Sequence, residues 1–370
     1  VAVLAVAAVV LGLRQILGPD GETTSPAAER SVAVLPFEAV GTEDPGPIAE
    51  GLHNDLLTRL SNVSGLRVTS ATSVEQFRDS ELPLPAVADS LGVDWIVEGG
   101  VQQADGAFQV NAQLVDPRTD AHAWAKTYSR ELTAGNLFNL QSEITREIAR
   151  SLEAQLTAEE QRRVQRQPTR DLEAYRLYVQ GRAQLNTRTA DGVRKAVGYF
   201  QQAIRRDSTY ALAWTGLADA RALYPKYGEG TLGDSIPGHE EAARRALALE
   251  PDLAEGHASL GALHFLRREG PAALRELGRA VELKPSYAQA HHWLAWLLLH
   301  LGRLEPAREH IALAVELNPR HAPARWVRIH TLIASGRAEE AEPHLRRARE
   351  LAGEVTSTHV MSLLFLYHTG

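Results

Sequence analysis

A period of 34 residues is the strongest constraint this chain places on its own fold. Pro251, Pro285 and Pro319 stand 34 residues apart, and the same frame carries Ala273, Ala307 and Ala341, then Ala246, Ala280, Ala314 and Ala348. Leu260-Gly261 is answered one period later by Leu294-Ala295. Each period reads as two helices closed by a residue that cannot extend the second, since proline lacks an N–H and clashes with the preceding turn. Small residues (Gly261, Ala273, Ala280) let the paired helices approach closely, and larger ones (Leu277, Ile311, Leu345) fill the space between layers. A single pair leaves an apolar face uncovered, so such units have to stack into an array.

The spacing resembles the tetratricopeptide pattern W-x2-L-G-x2-Y…A-x3-F…P at its usual period. Trp214, Leu217, Ala246 and Pro251 extend it backwards as a repeat with a long insertion, and Gly181, Ala196, Phe200 and Ala203 mark one before that. Residues 322–353 form a later repeat with Gly where Pro would stand, and His359 to Gly370 resembles half of another. About five repeats plus a partial one are therefore expected over 171–370. The resemblance implies that the first helices line a concave groove that holds peptide segments of partner proteins, through the second, fifth, ninth, twelfth and thirteenth positions of each repeat. From those positions, Glu255, Phe265, Gln289, His292, Trp296, His300, Trp326 and His330 are expected to carry the groove. Such an aromatic, weakly charged surface supplies anchors for a protein or peptide partner. The competing reading is that the Trp side chains only pack between repeats.

Ahead of the repeats the texture is that of an α/β domain with a mixed sheet. SVAVLPF (Ser31 to Phe37) suits a buried strand, residues 48–63 place Leu52, Leu56, Leu57 and Leu60 at helical spacing, and LRVTS suits a second, parallel strand. Short helices are expected from Ser73 and over 86–91. Three more strands follow, separated by the turn signals Asp105-Gly106 and Asp116-Pro117. Phe108, Val110, Ala112 and Leu114 alternate with Gln109, Asn111 and Gln113, as in a sheet with one wet face. A helix over 137–156 completes the unit. These segments, in this order, resemble the bacterial TolB amino-terminal-like (FlgO-like) domain over roughly 31–157. The resemblance implies a module without assigned chemistry, found ahead of tetratricopeptide repeats and, in many bacterial proteins, behind a receptor-type serine/threonine kinase, a cyclase or a DNA-binding domain. A linker is expected at 158–170.

The chain opens on the apolar run VAVLAVAAVVLGL, closed by Arg14. Thirteen helical residues span about 20 Å against a hydrocarbon core of roughly 30 Å, so 1–17 reads as part of a transmembrane helix and the polar stretch 18–30 as its tether. A signal-peptide core is the rival. The expected setting is membrane-anchored by one N-terminal span, with the folded part extracytoplasmic.

Enzyme chemistry finds little support. The net charge is −7 with no basic block, which speaks against nucleic acid as a partner. There is no cysteine to act as nucleophile, thiolate ligand or disulfide. Of the 14 histidines, His257, His291 and His359 share one repeat position and His310 and His344 another, which separates them by layers instead of converging them on an ion. Glu50, His53 and Asp55 lie close together on one predicted helix and read as a solvated face; His122 and Trp124 read as sheet packing. GEGTLG (Gly228 to Gly233) matches G-x-G-x-x-G, but a helix precedes it where a phosphate loop needs a strand. It reads as an enlarged inter-helix loop, with Ser235 as N-cap of the next helix. No catalytic residue, cofactor or metal ligand is expected. The function expected is a non-catalytic, membrane-tethered interaction scaffold. The alternative is the sensory or docking region of a larger receptor-type serine/threonine kinase whose catalytic domain lies upstream of Val1.

Overall fold

The computed structural model describes residues 30–40, 46–104, 106–187, 189–223 and 232–352. The apolar run with its tether, residues 228–231 of GEGTLG and the half-repeat from His359 lie outside the described residues. Among the described residues, no helix is long and apolar enough to cross a membrane.

The first unit is a mixed six-stranded sheet. Strand β1 (Arg30–Val34) pairs in parallel with β3 (Leu66–Val68) on one side and β4 (Trp95–Ala104) on the other. Strand β2 (Glu38–Val40) continues the line of β1 along β4 after the break at Pro36, a residue with no N–H for a ladder. The antiparallel strands β5 (Ala107–Asp116) and β6 (Ala121–Glu131) complete the order β3-β1-β4-β5-β6. Both turn signals are used: Gly106 takes φ 74°, and the Asp116 carboxylate accepts from Arg118 N at 2.9 Å. The buried Phe108, Val110, Ala112 and Leu114 face α1 (Gly46–Leu60) and α4 (Ala134–Ser151), while Gln109 and Asn111 are exposed. The short helices α2 (Ala71–Val74) and α3 (Leu84–Leu91) lie between β3 and β4. Helix α4 ends at Ser151, short of the expected 156, because Glu153 turns the chain at φ 54°.

Segment 158–170 differs from a plain linker. It contains α5 (Ala158–Val164), opened by a reciprocal capping box in which Thr157 and Glu160 bond each other's backbone N–H. Val164 and the first repeat helix, α6 (Leu172–Asn186), join the apolar core of the sheet unit through Tyr175 and Val179. The two units therefore share a core.

The repeats are five helix pairs among the described residues: α6 with α7 (Ala190–Arg206), α8 (Ala211–Leu223) with α9 (Leu232–Leu249), α10 (Ala254–Leu266) with α11 (Gly270–Leu283), α12 (Ala288–His300) with α13 (Leu304–Leu317), and α14 (Ala322–Ala334) with α15 (Glu342–Ala352). Helices α9, α11 and α13 each stop two residues before Pro251, Pro285 and Pro319. Gly261 is required by contact: a Cβ there would stand 2.7 Å from Leu277 Cγ. Helix α9 begins at Leu232, so Ser235 and Pro237 fall inside it and Ser235 is not the N-cap expected.

The turn inside each of the last three pairs demands a left-handed residue at one place in the period. Gly302 and Gly336 supply it at φ 69° and 71°, but the equivalent residue of the earlier pair is Arg268, at φ 61°. Arg268→Gly is therefore expected to stabilise the array by about 1 kcal/mol, the usual cost of holding a side chain there. Urea unfolding checks this; an unchanged or lower midpoint would show that the turn carries no strain.

Candidate partner-binding groove

The sheet unit docks on the inner side of the array, and the contacts are specific. Edge strand β3 would otherwise present bare N–H and C=O groups. Ser286, in the turn between α11 and α12, covers that edge: its Oγ donates to Leu66 O at 2.9 Å and accepts from Val68 N at 3.3 Å. Ser70 N donates to Leu317 O at 2.8 Å, Ser73 Oγ to Asn318 Oδ1 at 3.0 Å, and Arg320 to Gln76 Oε1 at 2.7 Å. Arg67 pairs with Glu316.

Helix α1 is therefore covered on two sides, which corrects the expectation of a solvated face at Glu50, His53 and Asp55. His53 is 1% exposed and its Nε2–H donates to Val34 O at 3.0 Å. Burial holds its imidazole below the ordinary histidine range. Asp55 accepts from Tyr175 Oη at 2.8 Å and Gln141 Nε2 at 2.9 Å, and burial raises its carboxyl pKa. Glu50 pairs with Arg78 at 2.6 Å. His122 is exposed on β6, and Trp124 packs half-buried against the sheet core.

The expected groove residues divide into two sets. Glu255 and Gln289 lie in the half of the inner face turned toward α1, where they line a cavity of about 320 Å³ between the two units. Glu255 bonds Lys284 at 2.9 Å. Phe265, Trp296, His300 and His330 lie outside that cavity, in the C-terminal halves of the inner helices, and Trp326 lies outside it in the first half of α14. Phe265 contacts Trp293, Trp296 and His300 at ring separations of 5.8, 5.3 and 5.4 Å. Trp293 and Trp296 stack at 5.5 Å, with an angle of 13° between their planes. Trp296 packs against neighbouring rings and stays half-exposed, Trp326 is likewise half-exposed, and His300 and His330 are exposed. His292 departs from the groove expectation. It is 3% exposed, wedged against Trp296 and His321, and its Nε2 has no hydrogen-bond partner. Burial drives its pKa down to about 3.

Histidines at equivalent repeat positions bond within their own pairs. His291 Nε2–H donates to Pro285 O at 2.8 Å, which leaves Nδ1 to accept from His310 Nδ1–H at 3.0 Å. His257 bonds Pro251 O and Glu276, both at 2.8 Å. Among the described residues, no group of three or more His, Asp or Glu could hold a metal ion.

Sequence reasoning missed a set of buried polar residues on the side of the array that faces the connector and the sheet unit. Glu250, Lys284 and Asn318 occupy the position before each proline, all three buried and polar. Glu250 pairs with Arg166 at 2.9 Å and Asn318 with Ser73. A buried-polar column in a repeat frame was the available signal.

Residues 288–321 match the family model described as "Tetratricopeptide repeat". Among curated proteins, the chain is 32% identical over 244 residues to the "Putative adenylate cyclase 3" of Rhizobium meliloti (strain 1021), a match covering 65% of this chain and 41% of that protein. The chain thus spans about two-fifths of the length of the curated relative it matches. Two solved structures are similar to it in part. YrrB, "a TPR protein with an unusual peptide-binding site", is 18% identical with a TM-score of 0.35 over 57% of this chain and 98% of its own. PilW, a "type IV pilus biogenesis factor", is 16% identical with a TM-score of 0.42 over 54% and 86%. Residues 288–321 thus match one tetratricopeptide repeat, within a helical array of similar pairs that follows a mixed sheet.

Proposed function

We propose that this chain is a protein-interaction scaffold whose own α/β domain fills the near half of the groove, leaving the aromatic far half for a partner. One observation carries the reading. Docking of α1 and β3 accounts for the inner face around Glu255, Ser286 and Asn318, whereas the ridge of Phe265, Trp296, Trp326, His300 and His330 extends beyond it. Half-exposed aromatic rings held by neighbouring rings are pre-ordered anchors that lose little entropy on binding. A photo-crosslinking residue at His330 is expected to trap a partner polypeptide that the same residue at the exposed, outer-face Arg275 does not. Trp296→Ala with Trp326→Ala is expected to reduce that trapping at least about tenfold. Equal trapping from both positions would refute the groove.

A second reading places the scaffold beside a catalytic domain in a longer signalling polypeptide. Its support is the curated relative, of which this chain matches 41% and whose name is that of a nucleotide cyclase. A receptor-type kinase is the rival. The reading frame upstream of Val1 separates them: H-R-D and D-F-G motifs mean a kinase, and a cyclase domain means the other. Membrane anchoring through 1–17, with the folded part extracytoplasmic, belongs to the same proposal and rests on the apolar run alone.

A further inference from the structure

The cavity between the two units has a chemistry that the partner groove does not use. Arg182, on α6, offers five N–H donors, and among the described residues its one hydrogen bond is a long contact of 3.4 Å to Asp219 Oδ2. The Arg182 and Asp219 side chains keep 38% and 32% of their surface although the sheet unit stands over them. Tyr178 and Tyr287 line the same space, and among the described residues no hydrogen bond holds either hydroxyl. Glu255 and Lys284 line the same cavity as an ion pair at 2.9 Å. Two cations, Arg182 and Lys284, stand against three carboxylates, Asp55, Asp219 and Glu255, which disfavours a polyanion such as a nucleotide. The volume of about 320 Å³ is at the lower end of small-ligand sites.

From this arrangement we infer that the inter-domain cavity binds a small zwitterion of amino-acid or dipeptide size. Its carboxylate lies across the Arg182 fork between the two tyrosine hydroxyls, and its ammonium lies toward Asp219 and Glu255. The planar guanidinium suits a carboxylate in bidentate fashion, and the hydroxyls add donors from the flanks. Because both units supply wall residues, Asn54 and Thr58 from α1 against Arg182 and Tyr287 from the array, an occupied site holds the units together.

The probes are L-alanyl-L-alanine, N-acetyl-L-alanine, which lacks the ammonium, and L-alaninamide, which lacks the carboxylate. Each is titrated calorimetrically into the full chain in mild detergent. The dipeptide is expected to bind at least about tenfold more tightly than either single-charge probe, one charge-assisted contact being worth about that much. Arg182→Gln is expected to weaken the dipeptide by a similar factor. Tyr178→Phe with Tyr287→Phe removes no packing volume, and it weakens binding in a protein with an unchanged melting temperature. Three results overturn the inference: no binding of any probe at millimolar concentration, equal binding of the dipeptide and N-acetyl-L-alanine, or dipeptide binding untouched by both sets of substitutions.

Discussion

Arg59→Ala is expected to lower the unfolding free energy by about 3–5 kcal/mol, the range for removing one partner of a buried ionic network. Arg59 is 5% exposed and sits where α1, α4 and the connector to the repeats converge. Its guanidinium donates to Val164 O, to Arg166 O at 2.9 Å, to Ser142 Oγ at 3.2 Å and to Gln141 Oε1 at 3.3 Å. It also faces the buried Asp55, whose ionised form it favours. Alanine leaves two carbonyls without that donor and an acid without its cation, in a space too enclosed for water to repair freely. Arg59→Lys is expected to recover little, because a single ammonium cannot span four acceptors on two segments, α4 and the connector. Urea unfolding followed by circular dichroism measures the loss. A change under about 1 kcal/mol would mean that the shared core, and not this network, joins the units.

Acid is expected to weaken the repeat array before it protonates most carboxylates. Burial pushes His239 and His291 down to about 4 and His292 to about 3, and His53 and His310 shift the same way. A histidine with a folded pKa below its unfolded value imposes no cost above about pH 6.5. As pH falls toward 4 the unfolded chain takes up protons that the folded one refuses, and stability drops by on the order of 1 kcal/mol per pH unit for each such group. Two groups act in the opposite sense: burial raises Glu250 to about 7 and also raises Asp55, so both disfavour the fold as pH rises through their folded values. The histidines outnumber them. A net loss of about 2–4 kcal/mol is expected between pH 7 and pH 5, read from tryptophan fluorescence, since Trp214, Trp293, Trp296 and Trp326 all belong to the repeats. A midpoint that is flat or rises on acidification would show that these imidazoles stay protonated in the fold. His291→Asn is expected to flatten the slope, because it removes the group whose second nitrogen must stay neutral to accept from His310.

The repeats were legible because each meets a copy of itself. Pro251, Pro285 and Pro319 stop helices in identical surroundings, so one physical cause prints the same letter three times. The strand alternation from Phe108 to Leu114 was legible for a similar reason, one face being wet and the other buried. What could not be read was any contact between the units. Glu250, Lys284 and Asn318 stand one period apart yet differ, because what they meet differs: Arg166 of the connector, Glu255 of the groove and Ser73 of α2. His53 and Asp55 looked solvated because a helix pattern shows one buried stripe, whereas here His53 meets β1 at Val34 and Asp55 meets Tyr175, 120 residues away in sequence. The groove residues were placed by frame alone, which gives a position on a helix but not what covers it. Glu255 and Gln289 consequently share a cavity with the sheet unit, and His292 is buried.

The cap that Ser286 places on strand β3 also has a mechanical meaning. A helical-repeat array is a soft spring, each layer touching only the next. Here the sheet unit is fused to the first layer through Tyr175 and pinned to later turns at Ser286, Leu317 and Asn318. It is a strut across the coil that fixes the pitch of the layers it spans. Stretching the array therefore loads the bonds at β3 together, in shear, while α14 and α15 lie past the last pin and keep the compliance of an unbraced coil.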